Sequence, residues 1–480
     1  MSYFAGDMGL RYFFIVLVMF PTLLAAQNGK VIIDEIFIEG NKQTLDRIIL
    51  RELDFKSGDT VALEGFSEEL EHNALLLMNT GLFSKAKINI KDWKEDYKID
   101  LSVELIEAWY IYPLPLFELA DRNFNVWWSE FNRDLSRINY GLNFFHSNFT
   151  GRRDYLKIHA QFGYTRKYEI RYTFPYLNKK QTIGLDFVSN YKDQREIQIN
   201  TFNNRQVFRQ NNERTIYNRY ETEIALTYRP KIKTQHTFTS WFSRHQIDET
   251  FVTNKPEVPD SLENVNFFQT GESLQRYIGL RYRVTRDTRD IRPYATKGSF
   301  FEFEVEKEGI GVFEDLNTLR TTVSYSQYFP WSKKWSSAHN IRSRNALIRS
   351  EQPFFNSRGL GFGSSFVRGY EFFVIDGIDF FLTRNTLSYE LYNNEFNLGD
   401  LMPLKAFRLL PTKVYLTTYG DVGYANNPSF GDNNPFSNKA LFGYGIGLNL
   451  VLYYDKVIIF EYSFNGEGES GLFLRTQLGF

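Results

Sequence analysis

Val367-Arg368-Gly369-Tyr370 places a guanidinium in a Gly- and Phe-rich connection, roughly 351–377, between two long alternating segments. About fifty residues further on, Tyr419-Gly420-Asp421-Val422-Gly423 sets one acid inside such a segment. Successive side chains of a strand point to opposite faces, so Val414, Leu416 and Val422 share one face, and Tyr415, Thr417, Tyr419 and Asp421 the other. With the apolar face outward, Asp421 lies on an inner wall. The chemistry on offer is an ion pair, in which a loop arginine folds back to a wall carboxylate in charge-assisted, bidentate geometry. Such a contact positions a loop; it does not turn over a substrate.

Nothing else in the chain assembles a catalytic, cofactor or metal site. The six histidines, His72, His146, His159, His236, His245 and His339, include no two at metal-ligand spacing on a helix. There is no G-x-S-x-G element and no cysteine, which removes disulfides, thiolate ligands and thiol catalysis together. The carboxylates are scattered, so the protein is not expected to be an enzyme. A formal net charge of -1 argues against a nucleic-acid partner. Aromatics make up 17% of the 480 residues while mean hydropathy is negative, a combination that suits a membrane β-barrel, where only alternate residues face lipid.

The elements that must hold the pair follow from periodicity. From Ala108 to Phe480 about sixteen alternating segments are expected, running from 109–117 to 470–480, an all-β transmembrane barrel of antiparallel strands. Turns after even strands, such as Asn178-Lys179-Lys180, Pro330–Lys334 and Tyr454-Asp455-Lys456, are short. Connections after odd strands, such as Ala120–Arg137, Asp193–Thr215 and Glu351–Gly377, are longer. Phe442, Tyr444, Ile446, Leu448, Leu450 and Leu452 alternate with Gly443, Gly445, Gly447 and Asn449, so the inner face there is nearly bare. The first segment contains Pro113 and Pro115, which lack the donor a ladder needs, and a thin seam between first and last strands is expected.

Residues 30–107 read as a small unit of order β-α-α-β-β, with Thr44 as N-cap of the first helix and Phe66, Leu70, Ala74, Leu77 and Met78 on one stripe of the second. Residues 1–26 read as a secretory signal: Arg11, an apolar run from Tyr12 to Ala26 broken by Pro21, and a small-residue site at Ala25-Ala26-Gln27.

The tetrapeptide at Val367–Tyr370 and the strand motif at Tyr419, Asp421 and Gly423 resemble the V-R-G-[FY] and [FY]-x-D-x-G elements of the BamA-like outer-membrane assembly and two-partner-secretion barrels, the bacterial surface antigen family. Glu39-Gly40-Asn41 through Thr44, with Asn79-Thr80-Gly81-Leu82-Phe83, resembles a polypeptide-transport-associated (POTRA) domain, present here in one copy. Asp287-Thr288-Arg289-Asp290 through Pro293 to Gly298 is similar to a turn motif that follows the eighth strand, and Phe480 resembles a C-terminal assembly signal.

The resemblance implies an outer-membrane barrel (108–480) with a periplasmic POTRA domain (30–107). Its sixth surface loop, 349–377, tucks into the lumen so that Arg368 faces Asp421. The partners implied are unfolded outer-membrane or secreted polypeptides, outer-membrane lipid and other assembly components. The expected function is capture of unfolded chains by the POTRA domain and their insertion into, or passage across, the outer membrane, with the seam as a lateral gate. A passive channel, or a structural partner in a larger outer-membrane complex, is the alternative.

Overall fold

The computed structural model describes residues 29–478 apart from 123, 179, 212, 250–266, 269, 351–353, 404–407, 429–433 and 454–455. The expected signal segment 1–26, Phe480 and the Tyr454-Asp455 turn lie outside the described residues.

The N-terminal unit comprises β1 (Lys30–Glu39), α1 (Asp46–Arg51), β2 (Thr60–Ala62), α2 (Phe66–Met78), β3 (Phe83–Lys94) and β4 (Lys98–Glu107). Its sheet has the order β2-β1-β4-β3, with β1 parallel to β4 and the other pairs antiparallel. The short β2 was not expected. It forms because the Ser57-Gly58-Asp59 turn is tied back to β1, the Gly58 N–H donating to Ile33 O at 2.7 Å, which lays the next residues along that strand. Ile33, Ile48, Ile49, Leu77, Leu82, Ile99 and Leu101 are fully buried between the sheet and the two helices. Each such side chain contributes about 1.5–3 kcal/mol of transfer free energy.

Thr44 does not cap α1: Leu45 holds the cap position and no side chain bonds there. The Thr44 hydroxyl instead meets Tyr110 Oη at 2.9 Å and accepts from Asn148 Nδ2 at 2.9 Å, both in the second domain. Asp46 in the first turn and Arg51 in the last match the helix dipole in place of a cap.

The second domain is one antiparallel sheet of sixteen strands. In chain order these are β5 (Ile111–Leu119), β6 (Ile138–His146), β7 (Tyr155–Gly163), β8 (Thr165–Phe174), β9 (Ile183–Gln194), β12 (Tyr217–Lys231), β13 (Thr234–Ile247), β14 (Leu274–Asp287), β15 (Gly298–Glu308), β16 (Thr318–Pro330), β17 (Trp335–Ala346), β20 (Asp379–Asn397), β21 (Leu409–Asn426), β22 (Leu441–Leu452), β23 (Lys456–Asn465) and β24 (Ser470–Leu478). The two intervening pairs are hairpins within outer loops, β10 (Glu196–Phe202) with β11 (Arg205–Gln210) and β18 (Arg358–Leu360) with β19 (Ile375–Asp376).

The count and class match the expectation from alternation. Among the described residues no helix is long and apolar enough to cross a membrane. Each strand of the sheet is bonded to the next, but β5 and β24, its two ends, share no ladder among the described residues. They meet through the connection after β5, where helix α3 (Phe124–Ser129) packs on β24 and Asn125 Nδ2 donates to Leu472 O at 2.9 Å. Pro113 and Pro115 stand in β5 opposite Phe144 and Leu142 of β6.

The N-terminal unit docks on the turns at one end of the barrel. The Leu45 N–H donates to Gly151 O at 3.1 Å, Arg51 Nη2 to Arg229 O at 3.2 Å, and Asn79 Nδ2 to Asp290 O at 2.9 Å. Glu52, at the end of α1, is buried and accepts from Arg153 at 3.0 Å, from Arg229 at 2.9 Å and from the Tyr176 hydroxyl at 2.8 Å. Burial alone would raise its pKa, but the Arg153 and Arg229 guanidiniums overcome that and hold it down to about 2. The 288–297 turn closes the same mouth from the far side. Tyr294 stacks on Tyr415 of β21 with ring centroids 4.7 Å apart, and its hydroxyl accepts from Asn449 Nδ2 of β22 at 3.0 Å.

Candidate functional site

The loop between β17 and β20 turns back into the barrel and is held by its own hairpin, β18 with β19, and by an apolar cluster. Leu360, Val367, Tyr370, Phe373 and Ile375 of the loop pack on Phe380, Leu382, Ala425 and Leu441 of the wall. At its tip Gly369 has φ +92°, which turns the chain so that Arg368 and Tyr370 leave on different sides.

Arg368 is buried, and its guanidinium straddles Asp421, with Nε to Oδ2 at 2.8 Å and Nη2 to Oδ1 at 2.6 Å. The Arg368 backbone N–H donates to Asp421 Oδ2 as well, at 3.1 Å. Further donors reach Thr386 Oγ1 at 3.1 Å and Glu461 Oε1 at 3.4 Å, and the cation lies 3.8 Å from the Tyr419 ring centroid. Tyr370 is buried, with its ring edge-on to Phe436 and its hydroxyl accepting from the Gly466 N–H at 3.2 Å.

Each residue of the wall motif meets the loop differently: Tyr419 lies beneath the guanidinium, Asp421 accepts from it, and Gly423 leaves space for Val367. A Cβ on Gly423 would stand 2.3 Å from Val367 Cγ2, and one on Gly443 would stand 1.7 Å from Arg368 O. The loop backbone thus lies against β22 at Gly443, while Gly445 and Gly447 leave space for Tyr419, Thr417 and Glu461 of the neighbouring strands.

Gly443→Ala is therefore expected to push the loop out of its seat. Overpacking costs about 1–3 kcal/mol where side chains can yield, but here the obstacle is a backbone carbonyl. Limited proteolysis of the 354–378 segment should accelerate in this variant. It should stay unchanged in Gly420→Ala, whose Cβ would meet nothing within 4 Å.

The pair belongs to a larger network that sequence reading did not assemble. Glu461 and Glu371 each contact Arg475, the latter at 2.9 Å, and Glu371 accepts from the Gly369 N–H at 2.7 Å. Parity along β23, where Ile458, Phe460, Tyr462 and Phe464 point outward, already turns Glu461 inward. The backbone of the loop is also gripped directly by arginines. Arg384 Nε donates to Phe366 O at 3.0 Å, and Arg344 Nη2 to Gly377 O at 2.8 Å. Arg122 donates to Gly361 O, Phe373 O and Phe372 O at 3.1, 3.0 and 2.9 Å. No periodic signal marks Arg122, because it sits in a connection. Among the described residues no cluster of His, Cys, Asp and Glu could hold a metal ion.

Comparison with known proteins agrees with this geometry. Residues 148–454, more than half of the chain, match the Omp85 superfamily domain, and residues 31–107 match the POTRA family described as a surface antigen variable number repeat. No curated protein matches the sequence. Among solved structures, CdiB from Escherichia coli is similar at 12% identity and TM-score 0.55 over 94% of this chain and 76% of that one. BamA from Haemophilus ducreyi lacking POTRA domains 1–3 aligns at 14% identity and TM-score 0.49 over 93% of this chain and 84% of that one. CdiB from Acinetobacter baumannii aligns at 13% identity and TM-score 0.48 over 93% and 74%. With the arginine loop seated in a sixteen-stranded barrel behind one POTRA domain, the chain belongs to the Omp85 superfamily.

Proposed function

We propose that this protein is an outer-membrane assembly or translocation factor. Its periplasmic POTRA domain captures unfolded polypeptides, and its barrel passes them into or across the membrane at the β5–β24 seam. The observation that carries the reading is that seam: among the described residues the sheet is laddered throughout except between its two ends. An unpaired strand edge is a template for an incoming strand. The POTRA sheet offers a second template, since β3 is an edge strand of twelve residues that, among the described residues, is laddered only to β4. The obstructed bore favours this reading over a passive channel, because the inserted loop occupies one part of it and the 288–297 turn and the POTRA domain lie across one mouth.

A disulfide engineered across β5 and β24 is a clean test, because the sequence has no cysteine to compete. Oxidised, the protein should stop delivering its clients to the outer membrane, and reduction should restore delivery. Outer-membrane and secreted proteomes after depletion would identify those clients. A general loss of barrels indicates insertion, and loss of one exported protein indicates dedicated secretion. Normal delivery with the seam locked would end the lateral route.

A further inference from the structure

Most turns at the POTRA-docked end of the barrel are short, but the β20–β21 connection is a projecting ribbon. The β17–β20 ladder stops at Trp335 and Tyr389, and the β21–β22 ladder at Thr412 and Leu452. β20 and β21 nevertheless remain paired as far as Asn397 and Leu409. At about 3.4 Å per residue, 391–397 carries β20 roughly 24 Å beyond β17, and 409–411 carries β21 roughly 10 Å beyond the β21–β22 ladder. Over that length, among the described residues, β20 has a ladder on its β21 side alone.

The ribbon also keeps the alternation of the wall it leaves. A register shift between Glu390 and Tyr392 inserts Leu391 as an extra residue, and Tyr392 then pairs with Val414 and Phe396 with Leu410. This continues the outward row of Leu387, Tyr389 and Leu416, and Tyr392 and Phe396 stack at 5.9 Å. Asn393, Glu395 and Asn397 fall on the other face. Leu391 is 50% exposed and Leu401, at the tip, 91%. Three acids, Glu390, Glu395 and Asp400, balance three bases, Lys405, Arg408 and Lys413, so nothing here selects a charged partner.

Along 391–397 β20 thus has one open edge with exposed apolar side chains beside it, and only the outer 395–397 and 409–411 form a two-stranded ribbon, which is marginal by itself in water. It runs on past Trp331, Trp335 and Tyr389, aromatics of the kind that mark a membrane boundary, so it stands clear of the bilayer.

We propose that this ribbon is a docking edge for an extended polypeptide strand. The strand would alternate apolar and polar residues, carry little net charge, and add along Leu391–Asn397. That is the pattern of a barrel strand before insertion. A strand bound this way already has its apolar side chains on the face that continues into the lipid-facing row of β20. The assignment rests on the assembly reading above and adds a reception site at the β20–β21 wall. The POTRA domain docks elsewhere, on the 151, 229 and 290 turns.

The test uses the full chain in lipid nanodiscs and a fluorescent synthetic peptide of about ten residues, the length of one membrane strand, with alternating valine and threonine. A peptide of the same composition in scrambled order is the comparison. The alternating peptide should bind more tightly. Leu391→Glu with Phe396→Glu should weaken it roughly tenfold, about 1.4 kcal/mol, while the barrel still folds. A photo-crosslinker replacing Asn394 should capture the peptide. Equal binding of both peptides, no loss in the double variant, or crosslinks from Asn394 only to lipid or to a second copy of this chain would overturn the proposal. Peptide binding that is lost in the variant of a protein whose depletion alters no client would retire the assembly reading and keep the docking edge. Client loss on depletion with unchanged peptide binding would retire the docking edge alone.

Discussion

Arg368→Ala is expected to free the inserted loop and abolish client delivery while leaving the sixteen-stranded sheet intact. The guanidinium makes two side-chain bonds to Asp421, one to Thr386 and one to Glu461, and both carboxylates are buried. Removing one partner of a desolvated pair leaves the other charge uncompensated, at a cost of about 3–5 kcal/mol. That strain falls on the loop rather than on the ladders, so hydrogen exchange should rise across 354–378 and stay low in β21 and β22. Arg368→Lys should recover little, since an ammonium cannot bridge both Asp421 oxygens and also lie flat on Tyr419. Asp421→Ala should resemble Arg368→Ala, and the double variant should cost clearly less than the two single changes added together. Additive effects, or a loop that stays protected without Arg368, would show that the pair does not seat it.

The second large effect is expected at Glu52. Its pKa of about 2 lies below the ordinary 4.5, so the ion cluster with Arg153 and Arg229 contributes fully above pH 4.5. That contribution disappears as pH falls from 4.5 towards 2, because the unfolded or undocked carboxyl takes up a proton before the docked one does. At 1.36 kcal/mol per unit, the shift corresponds to about 3 kcal/mol.

Glu52→Gln should remove this pH dependence and leave Arg153 and Arg229 without their shared counter-charge, loosening the POTRA domain at neutral pH. Distances between spin labels on α2 and on the β12–β13 turn should broaden in the variant, and in the parent protein only below about pH 4. A variant that keeps one narrow distance at neutral pH would assign the docking to the remaining contacts, those of Thr44, Leu45, Arg51 and Asn79 among them.

How much of this was legible in the sequence depended on whether a residue lay in a periodic element. Alternation placed β21, β22, β23 and β24 within a few residues of their observed limits and turned Asp421 inward, because one face of each strand is apolar and the other is not. The inward glycines of β22 showed that something had to lie against them, but not that it would be the Arg368 carbonyl at Gly443 and the Tyr419, Thr417 and Glu461 side chains at Gly445 and Gly447. Thr44 misled because a Thr before an apolar stripe reads as a cap, whereas its hydroxyl is taken by Tyr110 and Asn148, far away in the chain. Arg122, Arg344 and Arg384 were invisible as loop clamps, since donation to a carbonyl leaves no complementary residue type to find. The β20–β21 ribbon was missed for another reason. The extra residue at Leu391 shifts the period, so alternation breaks where the strand continues.

Arg122 ties two things together that a parted wall would have to separate. It sits just beyond β5 yet grips Gly361, Phe372 and Phe373, in a segment fastened through Arg368 to β21. Pulling β5 away from β24 therefore strains this clasp. Hydrogen bonds to a charged donor are worth about 1.5–3 kcal/mol each, so three of them can hold the two ends together where the described residues form no ladder. The clasp can then be undone one bond at a time, which a continuous run of paired backbone would not allow.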